Sequence, residues 1–126
     1  MSVVLDASAL LAYLQEEPGR DAVAAVLPDS FISAVNWAEV VGKTRSADVQ
    51  TDDLLDVLAR LGLTVEPFSR TQAETAGRLL ERTRPLGLSL ADRACLALAI
   101  DRADPAYTAD RVWLQLRADV RIEAIR

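Results

Sequence analysis

The sequence predicts an α/β fold: a three-layer α/β/α sandwich around a central, mainly parallel sheet. Three observations predict it. Short apolar runs of strand length alternate with longer runs of helical period along the whole chain. Start and stop signals separate them, with Ser, Thr or Asp before the helical runs and Gly or Pro after them. One helical run, Leu90 to Arg102, is apolar nearly all round, as a helix packed inside a layered core must be. No repeat, low-complexity tract or linker interrupts the 126 residues, so residues 1–126 read as a single domain.

Val3 to Asp6 is the first expected strand, and a helix pattern from Ser8 to about Gln15 follows at once. Pro18 and Gly19 break that helix, and Pro18, with its fixed φ, is expected to open a second one running to about Leu27. Pro28 and Asp29 turn the chain into a second strand, Ser30 to Ser33. A helix carrying Trp37, Glu39, Val40 and Val41 then ends near Arg45. Thr51 or Asp52 starts a helix with Leu54, Leu55, Leu58 and Leu61 on one face and Gly62 as its stop. Leu63 to Pro67 is the third strand. Ser69 and Gln72 have the spacing of a capping box for a helix to about Arg84, stopped by Pro85 and Gly87. Ser89 and Asp92 suit a second box, opening Leu90 to Arg102. A strand near Ala106 to Thr108, a helix from Asp110 to about Arg117 and a last strand near Arg121 to Ala124 complete the pattern.

Hydrophobic residues make up 51% of the chain and charged ones 26%, which argues against disorder. The apolar stretches are too short to span a bilayer and the start lacks signal-peptide features, so a cytoplasmic protein without a membrane partner is expected. Cys95, the single cysteine, makes neither an internal disulfide nor by itself a zinc site, and its expected place is the core. A net charge of −5 argues against broad attraction to nucleic acid and leaves room for a local basic rim. Every basic residue but Lys43 is an arginine; phosphate contacts and codon composition explain that bias equally well. The absence of histidine excludes histidine-dependent catalysis, from serine triads to His-ligated zinc.

Four acids stand beside apolar stretches: Asp6 in VVLDASAL, Glu39 in AVNWAEVV, Asp92 in LSLADRACLALA and Asp110 in AYTADRVW. In parallel sheets, sites form at the carboxyl ends of strands, and Asp6 and Asp110 each follow an expected strand. Asp92 lies in the first turn of the apolar helix. Each acid also has a purely local reading: Asp6 and Asp110 as helix caps, Asp92 as part of its capping box, Glu39 as the i, i+4 partner of Lys43. Caps explain acids one at a time; they do not predict acids at several strand ends. Converging carboxylates need a counter-charge. Oxygen ligands without His or Cys specify a hard ion, Mg²⁺ or Mn²⁺, and such ions suit phosphoryl or phosphodiester chemistry. Ser8 and Thr108 are hydroxyls two residues from Asp6 and Asp110, placed either to orient them or to cap locally.

The segments VVLDASALLAYL, ISAVNWAEVVGK, LGLSLADRACLALA and YTADRVW, in that order over the whole length, carry a resemblance to the PIN-domain ribonucleases. More narrowly, the chain resembles the VapC toxins of toxin–antitoxin pairs. The resemblance implies a PIN fold with Asp6, Glu39, Asp92 and Asp110 as the catalytic and metal-binding acids and Ser8 and Thr108 in support. It implies a Mg²⁺- or Mn²⁺-dependent endoribonuclease acting on structured RNA (tRNA or rRNA), a homodimer, and a VapB-like cognate antitoxin as partner. Lys43, Arg45, Arg93 and Arg111 lie near the acidic segments as candidate RNA contacts, with solvated charges or surface ion pairs as the alternative. Arg111-Val112 follow Asp110 where some PIN nucleases carry a further acid, which leaves one ion or two open.

The alternative is a catalytically silent PIN-like module that binds RNA or protein, and the intact quartet argues against it. A receiver domain needs a phosphorylatable Asp after the third strand, where this chain has Pro67-Phe68, and a late Lys, which it lacks. A haloacid-dehalogenase-type phosphatase needs Asp-x-Asp where Asp6-Ala7-Ser8 stands.

Overall fold

In the computed structural model, which describes residues 1–46 and 50–126, the apolar runs become five strands. They are β1 (Val3–Leu5), β2 (Ser30–Ser33), β3 (Leu63–Glu66), β4 (Ala106–Thr108) and β5 (Ile122–Ala124). Their order across the sheet is β3-β2-β1-β4-β5, and every neighbouring pair is parallel. The helical runs become α1 (Ala7–Leu14), α2 (Arg20–Val26), α3 (Ala34–Ser46), α4 (Thr51–Arg60), α5 (Arg70–Arg78), α6 (Leu80–Thr83) and α7 (Leu90–Arg102). Three short 3₁₀ turns, Leu27–Asp29, Arg84–Leu86 and Arg111–Gln115, join them.

The two-residue period of a strand explains the three layers. In β1, Val3 and Leu5 point to one face and pack with Leu10, Val23, Ile32, Val40 and Leu58 of the α1–α4 side. Val4 points to the other and packs with Leu79, Leu96, Leu98 and Trp113 of the α5–α7 side. Burying a side chain such as Leu5 or Leu96 stabilises the fold by about 1.5–3 kcal/mol each. Cys95 is fully buried here as a small core residue, and Trp113 is fully buried as well. Trp37 is partly buried against the α1–α4 core. Because β1 exits toward α1 on one side of the sheet and β4 lies on its other flank, a crevice opens at the carboxyl ends of β1 and β4.

Four expectations need correction. The second helix starts at Arg20 rather than Pro18, because Gly19 takes the left-handed φ of +96°, where a side chain would collide with Ile125, so Pro18 is left in the turn. The helix expected to run unbroken to Arg84 breaks at Leu79, continues as α6 and tightens into the 3₁₀ turn Arg84–Leu86. Pro85 lacks the amide an α-helix needs there. The Ser69 capping box is only half made: Ser69 Oγ accepts the Gln72 amide, but the Gln72 side chain turns inward to Asp101. After Asp110 the chain forms the five-residue 3₁₀ turn Arg111–Gln115, not an α-helix to Arg117. The Ser89–Asp92 box, by contrast, is complete.

Candidate active site

The exits of β1 and β4 are tied together through one buried carboxylate. The Asp6 amide donates to the Tyr107 carbonyl across the strands at 3.0 Å. Its side chain, 4% exposed, caps α1 by accepting the Ala9 amide at 2.8 Å. The Ser8 hydroxyl donates to it at 2.7 Å and the Thr108 hydroxyl at 2.6 Å. The same hydroxyls accept backbone amides from the β4 exit: Ser8 from Ala109 at 2.9 Å, Thr108 from Asp110 at 3.0 Å. Ser8 and Thr108 therefore fix Asp6 and the backbone of Asp110 as one unit. Burial pushes the Asp6 carboxyl up from 3.8 to about 6. Hydrogen bonds from Thr108, Ala9 and Ser8 oppose this rise, and the nearby charge of Asp92 adds to it.

The other three acids arrive on separate elements. Asp92 closes the capping box of α7, accepting the Ser89 amide at 2.8 Å through one oxygen, and is half-buried. Asp110 accepts the Val112 amide at 3.0 Å and starts its 3₁₀ turn, exposed to solvent. Glu39 is also exposed, on α3. Sequence reasoning passed over Asn36, which positions it. The buried Asn36 side chain donates to Glu39 at 3.3 Å and to the Ala91 carbonyl at 3.0 Å, joining α3 to the first turn of α7 beside Asp92. The signal was present: an amide three residues before an acid, on the inward side of a helix.

Asp6, Glu39, Asp92 and Asp110 line one cavity of about 280 Å³, with Ala7, Ser8, Leu11 and Lys43. The local readings hold as well: three of the acids are caps, and each cap leaves the carboxylate oriented at its helix start. The Glu39–Lys43 pair does not form among the described residues. Lys43 faces the acids without salt-bridging any of them. Buried Cys95, one turn after Asp92, senses the cluster. Its thiol is held well above its ordinary range, first by burial and then by the charges of Asp6, Asp92 and Glu39. A larger, open depression of about 580 Å³ lies by Glu16 and Glu17, but those acids are paired with Arg20 and Arg126.

The candidate arginines stand outside the cavity lining. Arg93 points back to α5, donating to the Ala76 carbonyl at 2.9 Å. Arg111 donates to the Arg126 carbonyl at 3.1 Å. Arg45 is exposed in the last turn of α3.

Among the described residues, no three acids or cysteines are drawn together as a finished metal cage. The caps account for this, since Asp6 shares both oxygens with donors and Asp92 and Asp110 each give one to an amide. The candidate ligands around the cavity are nonetheless oxygens, four carboxylates and the Ser8 hydroxyl, which suit a hard divalent cation such as Mg²⁺ or Mn²⁺ and not zinc.

The family model for the PIN domain matches residues 3–119. The chain belongs to the PIN-domain family. Among curated proteins none matches it by sequence. Solved structures share its fold at low identity. A toxin–antitoxin complex from Klebsiella pneumoniae is 18% identical, with 98% of each chain covered and a TM-score of 0.79. VapBC2 from Rickettsia felis, bound to a DNA fragment from its promoter, is 16% identical over 98% of each chain, with a TM-score of 0.72. VapC20 from Mycobacterium tuberculosis, a sarcin–ricin loop cleaving toxin, is 18% identical over 94% of this chain and 98% of its own, with a TM-score of 0.70. No helix among the described residues of this PIN domain is long and apolar enough to cross a membrane.

Proposed function

We propose that this PIN domain is the toxin of a toxin–antitoxin pair, a VapC-type endoribonuclease that hydrolyses a phosphodiester bond in structured RNA with Mg²⁺ or Mn²⁺. One observation carries the reading: four acids from segments far apart in sequence line a single cavity at the carboxyl ends of parallel strands. Bound there, a hard divalent cation supplies the positive charge that offsets the carboxylates and polarises a phosphate. Asp6, Asp92 and Asp110, each fixed by the amides it caps, are the holding groups. Glu39 is exposed and restrained only through Asn36, so it is the acid free to orient an attacking water and take its proton. Ser8 and Thr108 keep Asp6 aimed, and Lys43 offers a cation to the phosphate at the rim. VapC20 cleaves the sarcin–ricin loop, which supports a structured RNA loop as the substrate class here. The Klebsiella and Rickettsia neighbours are toxin–antitoxin assemblies, which supports an antitoxin partner. A homodimer belongs to the same proposal.

The test is cleavage of structured RNA by the purified chain. Cleavage is expected with Mn²⁺ or Mg²⁺, stops with EDTA, and leaves 5′-phosphate and 3′-hydroxyl ends. Asp6→Asn, Glu39→Gln and Asp92→Asn should each abolish it while the far-ultraviolet circular dichroism stays unchanged. Undiminished cleavage by all three variants refutes the site.

A further inference from the structure

We infer that a basic groove beside the acidic cavity binds the RNA backbone to one side of the cleaved bond, an inference that rests on the nuclease reading above. The groove has a volume of about 360 Å³. Glu81 and Arg82 of α6 with Pro85 and Leu86 form one wall, and Gln115 and Arg117 form the other. The walls meet because Leu86 and Leu116 both pack on the core cluster that holds Leu79 and Trp113.

Its position follows from the fold. Helix α5 lies antiparallel to α7, bonded from Gln72 to Asp101 at one end and from Ala76 to Arg93 at the other. The end of α5, α6 and the turn Arg84–Leu86 therefore stand at the same end of the molecule as Asp92. The opposite wall begins at Asp110 itself. Gln115 closes the 3₁₀ turn that Asp110 caps, roughly 10 Å away at about 2 Å of rise per residue. One wall thus stands at the Asp92 end of α7, and the other continues the turn that starts at Asp110.

The charge of the groove suits phosphate. Arg82 and Arg117 are exposed and make no ion pair among the described residues, and the same holds for Arg78 and Arg84 on the same segment. Elsewhere Arg20, Arg70, Arg102, Arg121 and Arg126 are paired with acids, while Arg60, Arg93 and Arg111 donate to backbone carbonyls. Glu81 is the acid on the groove's own wall. In a chain of net charge −5, a lining with two arginines against one acid is locally cationic, and guanidinium is the group whose planar fork fits phosphate oxygens. An acidic cavity repels RNA, and a flanking cationic groove offsets that repulsion where the strand must pass. Pro85 and Leu86 add apolar surface for sugar and base.

Anisotropy of a fluorescein-labelled oligouridine, measured on the full chain in EDTA, reads binding without cleavage. Arg82→Ala/Arg117→Ala is expected to weaken binding about tenfold at low salt. It should lower the slope of log K against log salt by about 1.4, the value for two single-strand phosphate contacts. In the cleavage assay its KM rises and its kcat holds. Arg20→Ala/Arg70→Ala removes the same charge elsewhere and should bind like the parent. Three results overturn the groove: no binding by the parent, equal binding and slope in the Arg82/Arg117 variant, or equal weakening by both double variants. The nuclease reading fails separately, if the parent binds oligouridine through Arg82 and Arg117 yet cleaves no RNA with Mg²⁺ or Mn²⁺.

Discussion

Replacing Asp6 with Asn should stabilise the ion-free protein at neutral pH, the reverse of what most buried substitutions do. Asp6 is 4% exposed, and burial lifts its carboxyl from 3.8 to about 6 in the folded state. A folded pKa above the unfolded one means that the native state prefers the protonated acid. That preference contributes in full below 3.8 and is lost as pH rises through about 6. Above that range the ionised carboxylate costs a little over two pKa units at 1.36 kcal/mol each, about 3 kcal/mol. Asn keeps the shape, still accepts the Ala9 amide, and presents its own amide to the Thr108 hydroxyl, which can rotate to accept it. Urea unfolding in EDTA, followed by circular dichroism, should show parent and variant alike near pH 4 and the variant about 3 kcal/mol more stable near pH 8. For 126 residues that corresponds to roughly 10 °C in Tm. A variant less stable than the parent near pH 8, or a difference that does not change with pH, refutes the reasoning.

The remaining predictions concern the same site and its scaffold. Mn²⁺ at about a hundred times its Kd should raise the parent's stability by about 2.7 kcal/mol in thermal melts and leave Asp6→Asn unmoved; equal shifts in both would mean binding elsewhere. Thr108→Val removes a donor to Asp6 and the acceptor of the Asp110 amide in a fully buried place. It should cost about 2 kcal/mol in urea unfolding and lower RNA cleavage with it, and a cost within error would contradict the tie between β1 and β4. Gly62→Ala should cost well over 1 kcal/mol, because Gly62 has φ +112° and an added Cβ would collide with the Pro28 backbone. Gly77→Ala, in open space within α5, should instead gain about 0.5–1 kcal/mol by the same unfolding measurement.

What the sequence made legible was whatever local chemistry decides. Strands β2 and β4 fall at the expected residues because each is a short apolar run between turn signals. Helix α7 opens at the expected box because Ser89 and Asp92 satisfy each other's amides without outside help. The gathering of Asp6, Glu39, Asp92 and Asp110 was inferable because strand ends in a parallel sheet share one edge. What escaped was set by distant partners. Gln72 left its box for Asp101, Arg93 turned from the cavity to the Ala76 carbonyl, and Asn36 gained its role only through α7. After Asp110 the chain forms a 3₁₀ turn that carries Trp113 into the core, a partner the local pattern does not show.

The bond from Thr108 to Asp6 spans 102 positions of sequence. A nascent chain that has released β1, β2 and β3 holds the first three strands of the sheet but lacks β4, and with it the hydroxyl that orients Asp6 and the segment that bears Asp110. Loop closure over that distance comes after the local helices have formed. On the nuclease reading proposed above, a chain without β4 has no complete centre. On that reading activity follows the docking of the strand on the far flank of β1, which the order of synthesis places after the first three strands.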